Sequence, residues 1–585
     1  MFLELPKMSA LPSVAYGSDA IVRQLHTLNI PYIALVPGSS FRGLHNSIVN
    51  FAGNRRPKIV LCLHEEHSVA IAHGYAKVEE TPMAVAVHDA HGRVQRHCDR
   101  APVLILGGNG PLNASLHRPW IDWIHTTGDE SALIRPWVKY DDTPASVPVA
   151  VQSILTAATA AAQLPRGPTY VCLDVSLQEI KLPNPATFPF PSTERYLNAA
   201  RNPPGPSAQS VQAIHEAMVS AKQQLLFLYG HVNRTQAGWD NRVTLAEAYN
   251  ARVITDLKLA AAFPTDRCLQ EASPEETLRA PAIHAIRASD VIVSFDWVDL
   301  AGTLATCFPD HPLGEPPASI RVIHITLDPP AIGNGQSKTH FAQPPVDLTI
   351  ISADPDLTIT ALLNAYPPPT QPSVPPPSTP FHPVQLDPST PLTLTTLAQT
   401  LYHLIPPATI SLVRVPLRFP GSQLHTPHPL SHLGHDGGEG VGSGPGMVVG
   451  AALALMTLHS SLFPVAILGD GDFLMGCSAI WTAARYGVPL LALVANNGGF
   501  YNDERHQAEV ARQRGRDVGR AGVGTRIEGP RPDVMSIARG FGAMTVGEGP
   551  VSTVGGLVDA LVDAMKVVTT GKVVVVDVWI ENEER

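Results

Sequence analysis

The stretch Pro464-Val465-Ala466-Ile467-Leu468-Gly469-Asp470-Gly471 decides how the whole chain is read. Its first five residues are apolar, as a strand buried on both faces requires, and Gly469-Asp470-Gly471 ends that strand with turn chemistry. A helix-like segment follows over 478–486, and a second apolar run, 490–495, ends in Asn496-Asn497. The 24 residues between Gly471 and Asn496 match one crossover between parallel strands. Asp470 and Asn497 then stand at the carboxyl ends of neighbouring strands, where open α/β sheets bind their ligands. A carboxylate and an amide carbonyl are hard oxygen ligands that suit Mg²⁺ or Ca²⁺, and Mg²⁺ completes its octahedron with substrate phosphates and water. Gly471 lets the backbone approach such phosphates at a helix N-terminus. An ordinary turn of an α/β domain is the alternative reading of the same residues.

Outward from this point the pattern repeats. Apolar runs at 33–36, 103–106, 291–294 and 573–576 alternate with helix-length segments, among them the Ala-rich stretch 153–163. The expectation is an α/β fold of three doubly wound, mostly parallel-sheet domains. Proline, 56 residues in all, marks the breaks. The Pro-rich stretches 183–206 and 366–391 divide the chain into blocks at 10–185, 205–365 and 392–585, with 366–391 as a linker.

Composition excludes several classes of function. At 585 residues the chain is too long for a single binding module. Charged residues are only 16% and apolar ones 44%, so surface is expected to be buried in large cores or against other subunits. The net charge of −10 comes without any cluster of Lys and Arg, which argues against nucleic acid and anionic membrane as partners. The apolar stretch 447–469 is interrupted by His459, Ser460, Ser461 and Pro464 and reads as helix, turn and strand rather than a membrane span. The six cysteines, at 62, 98, 172, 268, 307 and 477, form no Cys-x-x-Cys pair, so neither a disulfide framework nor a zinc site is expected. Residues 1–20 hold one Lys, no Arg and no apolar core, which reads as no targeting peptide; the cytoplasm is the expected location.

The Gly-Asp-Gly to Asn-Asn spacing resembles the cofactor motif of the thiamin diphosphate superfamily that includes acetolactate synthase, benzoylformate decarboxylase and pyruvate decarboxylase. The resemblance extends over nearly the whole chain. It implies a pyrimidine-binding first domain, a Rossmann-like central domain and a diphosphate-binding last domain. It also implies that Asp470, the Asn497 side chain and the Gly499 carbonyl hold Mg²⁺ against the cofactor diphosphate, with Gly469, Gly471 and Asp472 beside it. In the first block, Leu61-Cys62-Leu63-His64-Glu65-Glu66 resembles the family's strand and glutamate, and Glu65 is then the carboxyl group that protonates the cofactor pyrimidine. Burial would favour that role by keeping its proton in play. A helix N-terminal carboxylate is the alternative for Glu65 or Glu66. The segment 437–446, Gly-Gly-Glu-Gly-Val-Gly-Ser-Gly-Pro-Gly, resembles the family's glycine-rich element. There the Glu439 backbone carbonyl would accept from the cofactor amino group, and Val441 would wedge the cofactor into its bent form.

Pro37-Gly38-Ser39-Ser40 resembles the benzoylformate decarboxylase segment that meets the substrate carboxylate, which makes Ser39 a candidate; His88 matches that enzyme's proton-handling histidine, with a structural His as the alternative. Departures accompany these matches. Arg267 stands where the family segment has a second histidine, and it would bind a carboxylate or phosphate or lie in solvent. Only nine residues separate His88 from Cys98, about two turns fewer than in relatives. His425, His428, His432 and His435 are separated by Pro427, Pro429 and Gly434, so they cannot share a helical face as metal ligands. The central block has no Gly-x-Gly-x-x-Gly turn; relatives use this domain for FAD, for a nucleotide or for neither, and the sequence leaves that open.

The resemblance implies a thiamin diphosphate- and Mg²⁺-dependent 2-oxo acid decarboxylase or carboligase, working through C2 ylide addition to a keto carbon and an enamine. It also implies a homodimer or homotetramer whose first and last domains face each other across a subunit boundary. The alternatives are a carbon–carbon lyase or hydrolase acting on an acyloin, a diketone or a 2-hydroxyacyl thioester, and a non-catalytic thiamin-binding homologue.

Overall fold

The computed structural model describes residues 11–88, 99–200, 204–311, 314–328, 342–367 and 384–583. The first sheet contains β1 (Tyr32–Leu35), β2 (Lys58–Leu61), β3 (Met83–His88), β4 (Val103–Asn109), β5 (Tyr140–Asp142) and β6 (Thr169–Asp174), in the order β2-β1-β3-β4-β6-β5. All of its pairings are parallel. Helix α1 (Glu65–Glu79) crosses from β2 to β3. The central strands β1, β3, β4 and β6 are buried almost throughout, as apolar runs covered on both faces should be.

The second sheet contains β7 (Leu225–Tyr229), β8 (Arg252–Thr255), β9 (Val291–Phe295), β10 (Arg321–Thr326) and β11 (Leu348–Ile351), in the parallel order β11-β10-β9-β7-β8. A fully buried Arg242 braces one face of it. The guanidinium meets the Asp356 carboxylate at 2.5 Å and donates to the Ala262 and Asn233 carbonyls. A buried cation is tolerated when its donors are all matched in this way. A further strand, β12 (Ile410–Arg414), belongs to the same compact unit.

Helix α2 (Gly444–Thr457) leads into β13 (Phe463–Gly469); α3 (Asp470–Gly476) and α4 (Ser478–Tyr486) cross to β14 (Leu490–Asn496), and β15 (Met544–Thr545) and β16 (Val573–Trp579) follow. These four strands run parallel in the order β13-β14-β16-β15. The segment 447–469 is thus helix, turn and strand, as its interruptions predict. Among the described residues no helix is long and apolar enough to cross a membrane.

The chain forms two compact units. One comprises Met1–Asn202, Asp436–Val551 and Val562–Trp579; the other comprises Pro203–His435, Ser552–Leu561 and Ile580–Arg585. The first and last blocks share a unit because α1 and α2 meet nearly backbone to backbone. A Cβ on Gly74 would lie 2.0 Å from the Met447 carbonyl oxygen, and one on Gly450 would lie 1.9 Å from that of Ile71. Of the expected linker 366–391, residues 368–383 lie outside the described residues.

Candidate active site

The carboxyl end of β13 carries Asp470 as the first residue of α3. Its carboxylate is buried and faces the backbone N–H groups of Gly471 and Gly498. Burial raises its pKa above the ordinary carboxylate value, more than those amides and the nearby Arg531 lower it. On the neighbouring strand β14, Asn496 and Asn497 have separate jobs. The Asn496 amide donates to Asp577 at 2.9 Å and accepts from the Arg531 guanidinium at 2.6 Å, and that guanidinium stacks 4.1 Å from the Trp579 ring centre. Asn497 begins the following turn, its Oδ1 accepting the Gly499 N–H at 3.3 Å. Asp470 and Asn497 therefore stand at the ends of adjacent parallel strands, as their spacing predicts, with Gly499 in the turn that follows.

Around them the backbone leaves room. A Cβ on Gly469 would meet nothing within 4 Å, so the strand ends on open space. A Cβ on Gly471 would lie 2.4 Å from the Phe500 ring, so only glycine fits there. The glycine-rich segment is clasped by two carboxylates. Asp472 Oδ1 accepts the Gly442 and Gly444 amides at 2.7 and 3.1 Å. Asp436 accepts the Gly438 and Gly440 amides and the Ser443 hydroxyl. Asp472 thus shapes the segment that presents Glu439, which has a left-handed backbone at φ +50°, and the half-buried Val441.

Glu65 is the first residue of α1 and is partly exposed in the single chain. The helix start is held from three sides. His64 caps it by accepting the Glu66 N–H, Ser68 Oγ donates to the Glu65 carbonyl, and Ser478 on α4 hydrogen-bonds His67 at 2.7 Å. Thr482 and Tyr486 of α4 also bond the backbone of β2 at Leu61 and Ile59. The strand before Glu65 is thereby tied to the crossover that follows Asp470.

At the carboxyl ends of β1 and β3 it is Ser40, not Ser39, that meets His88: Ser40 Oγ lies 2.6 Å from His88 Nδ1. Ser39, partly exposed, opens the turn Ser39–Phe41. Glycines make the contact possible, since a Cβ on Gly38 would lie 2.7 Å from His88 Cβ, and one on Gly108 would lie 2.5 Å from Ser40 Oγ. Sequence reasoning also missed His125, whose ring centre lies 4.6 Å from that of His88. Its position 37 residues further along, at the end of the short helical turn Asp122–His125, carries no spacing signal. The short connection after His88, residues 89–97 up to Cys98, lies outside the described residues.

The remaining candidates go elsewhere. Arg267 pairs with Glu247 at 3.1 Å. His432 sits between the Leu257 and Leu412 carbonyls, and among the described residues no three His, Cys, Asp or Glu side chains are grouped as metal ligands. The central sheet carries a cavity of about 640 Å³ at the ends of β8 and β9, lined by Asp256, Glu275, Glu276 and Asp299 against Lys258 and Arg279.

Parallel α/β sheets with a carboxylate and an asparagine converging at adjacent strand ends, beside a clasped glycine segment, define a cofactor-dependent enzyme of the diphosphate-binding kind. Comparison with known proteins gives the family. The N-terminal TPP binding domain of thiamine pyrophosphate enzymes matches residues 16–129, and the C-terminal TPP binding domain matches residues 421–578. The chain belongs to the thiamin diphosphate-dependent enzymes. Benzoylformate decarboxylase of Pseudomonas aeruginosa is 25% identical over 511 residues, covering 83% of this chain and 86% of that protein. The acetolactate synthase large subunit of Corynebacterium glutamicum is 23% identical over 348 residues, 56% of this chain and 50% of that protein. A putative thiamin diphosphate-dependent enzyme from Mycobacterium smegmatis has the same fold, with a TM-score of 0.76 at 24% identity over 97% of this chain and all of that one. Benzoylformate decarboxylase from Polynucleobacter necessarius has a TM-score of 0.76 at 20% identity, over 98% of this chain and all of that one.

Proposed function

We propose that the protein is a thiamin diphosphate- and Mg²⁺-dependent 2-oxo acid decarboxylase or carboligase. The observation that carries this reading is the placement of Asp470 and Asn497 at adjacent strand ends, with Gly499 in the turn that follows, in a chain with both thiamine pyrophosphate-binding domains. The donors fit the metal: they are oxygen only, and the burial that makes Asp470 hold a proton more tightly is relieved by a bound cation. The open space before Gly469 and the bare Gly471 fit a diphosphate.

When bound, thiamin diphosphate supplies the electron sink that lets a 2-oxo acid lose CO₂. The chain's own residues prepare and contain that chemistry. Glu65 would hold the pyrimidine side of the cofactor through its carboxyl proton, and the Glu439 carbonyl would accept from the cofactor amino group. Val441, on the segment that the Asp472 clasp on Gly442 and Gly444 holds in place, would support the cofactor. Ser39 meets the substrate carboxylate, and His88, fixed by Ser40, handles the proton at the reacting carbon.

The partly exposed Glu65 supports a homodimer or homotetramer in which a partner subunit completes its surroundings. The domain assignment follows: pyrimidine-binding over 10–185, central over 205–365 and diphosphate-binding over 392–585. Among the described residues five cysteines are free, which supports a reducing, cytoplasmic location.

The test is hydrogen–deuterium exchange at C2 of thiamin diphosphate bound to the purified protein with Mg²⁺. Exchange far faster than in free cofactor is expected, followed by CO₂ release from a panel of 2-oxo acids. Exchange no faster than that of the free cofactor would overturn the reading.

A further inference from the structure

The turn that carries Asn497 and Gly499 is held by a residue from further along the chain. After Gly499 the chain leaves the sheet edge as helix α5 (Tyr501–Gln513), no residue of which is buried in the single chain, and then returns along the same turn. On the way back the Thr525 carbonyl accepts the Phe500 N–H at 2.8 Å, and the Ile527 N–H donates to the Gly498 carbonyl at 2.8 Å. Arg531 then lays its guanidinium across the carboxyl ends of β14 and β16. It donates to Asn496 Oδ1 at 2.6 Å and stands 4.1 Å from the Trp579 ring centre, and Asn496 and Trp579 are direct partners in the parallel pairing.

The Asn496 side chain is buried, and its amide has a donor end and an acceptor end. The Asp577 carboxylate accepts from Nδ2 at 2.9 Å, and Arg531 donates to Oδ1 from the other side. An anion and a cation therefore fix which end of the amide faces where. With that orientation set, Oδ1 also takes the Gly498 N–H at 3.3 Å. Gly498 has φ +78°, and a Cβ on it would lie 3.4 Å from the Arg531 guanidinium, so the turn passes directly beside that plane.

We propose that Arg531 is a positioning residue for the metal-binding turn: through Asn496 it holds residues 497–499 in the form that offers the Asn497 side chain and the Gly499 carbonyl to Mg²⁺. The inference rests on the proposed function for the identity of the ion. Placement, not charge, gives the effect its sign. A cation near Asp470 repels a second cation, so on charge alone the loss of Arg531 would strengthen Mg²⁺ binding. The buried Asp577 beyond Asn496 offsets part of that repulsion. Groups that orient metal ligands are worth about 10- to 100-fold in metal affinity, so placement should win. Lysine cannot substitute, because a point charge supplies neither the flat face on Trp579 nor the fixed direction toward Asn496.

The test compares Arg531→Lys, which keeps the charge but not the plane, with Arg531→Met, which loses both, in the full-length protein. Calorimetric titration of thiamin diphosphate at a series of Mg²⁺ concentrations gives the Mg²⁺ needed for half-maximal cofactor binding. Both variants should need about 10- to 100-fold more than wild type, and excess Mg²⁺ should restore the cofactor affinity. An unchanged or lower requirement in either variant overturns the proposal, since charge alone would then set the affinity. A loss that excess Mg²⁺ does not overcome marks general damage and also overturns it. The second measurement is backbone hydrogen exchange of the cofactor-free proteins, read by mass spectrometry on peptides spanning 496–500. Faster exchange there in both variants is expected, with the first sheet unchanged, and wild-type exchange in that turn overturns the proposal. A wild-type protein that binds no cofactor with Mg²⁺ overturns the functional reading instead, and the exchange measurement still decides whether Arg531 holds the turn.

Discussion

Gly74 on α1 faces the Met447 carbonyl on α2 so closely that a Cβ would lie 2.0 Å from the oxygen. Gly446 and Ala70 repeat the relationship one turn away, at 2.4 Å. These contacts bring the helix headed by Glu65 and the helix that follows the glycine-rich segment into one rigid pair.

The sign of a Gly74→Ala change follows from this contact. In an exposed helix the change stabilises by about 1 kcal/mol. Here overpacking against backbone should outweigh that gain and destabilise by about 1–3 kcal/mol. Thermal denaturation checks it, and a raised Tm would mean that the helices do not meet as described.

Glu65→Gln should fold normally, since the side chain is partly exposed and the helix start is held by His64, Ser68 and Ser478. Its Tm should stay within the range of ordinary surface changes, about 0.5 kcal/mol. C2 exchange should fall to the rate of free cofactor. A variant that exchanges and turns over like the wild type removes Glu65 from the mechanism.

Asp470→Asn should separate stability from function. The raised folded-state pKa means that the native protein binds the proton more tightly than the unfolded chain. Stability of the cofactor-free protein therefore falls as pH rises from the ordinary carboxylate value, about 4, through the raised one, and stays lower above it. Asparagine removes that loss, so the cofactor-free variant should melt higher than wild type at neutral pH while losing Mg²⁺-supported cofactor binding. Calorimetry with and without Mg²⁺ and cofactor reads both effects, and retained binding would contradict the metal cage.

Arg242→Ala should cost about 3–5 kcal/mol, because it leaves the Asp356 carboxylate buried without its cation. Arg242→Met combined with Asp356→Leu should recover most of that loss. Denaturant unfolding of the three proteins decides it; additive losses would mean that the pair is not coupled.

Strand and helix placement around the cofactor motif was legible in the sequence because it depends on local periodicity. The run 464–468 lies within β13, 478–486 is α4, and 490–495 lies within β14. The convergence of Asp470 and Asn497 follows from one crossover length and parallel pairing, both of which are sequence properties. Choosing between neighbours was harder. Asn496 and Asn497 are both amides at a strand end, and only the partners Asp577 and Arg531 show that Asn496 is held inside. Ser39 and Ser40 differ in which of them the turn aims at β3, and Gly38 and Gly108 decide that by leaving room for Ser40.

The sequence alone determined the parallel α/β class, the cofactor motif and the family, since buried apolar runs, turn glycines and ligand spacing act over a few dozen residues. Tertiary structure decided that Asp472 and Asp436 clasp the glycine segment, that α1 and α2 pack through bare backbone, and that His125 lies on His88. Those relationships join residues far apart in the chain. Such contacts depend on how sheets and helices close on one another, which no local pattern of residues encodes.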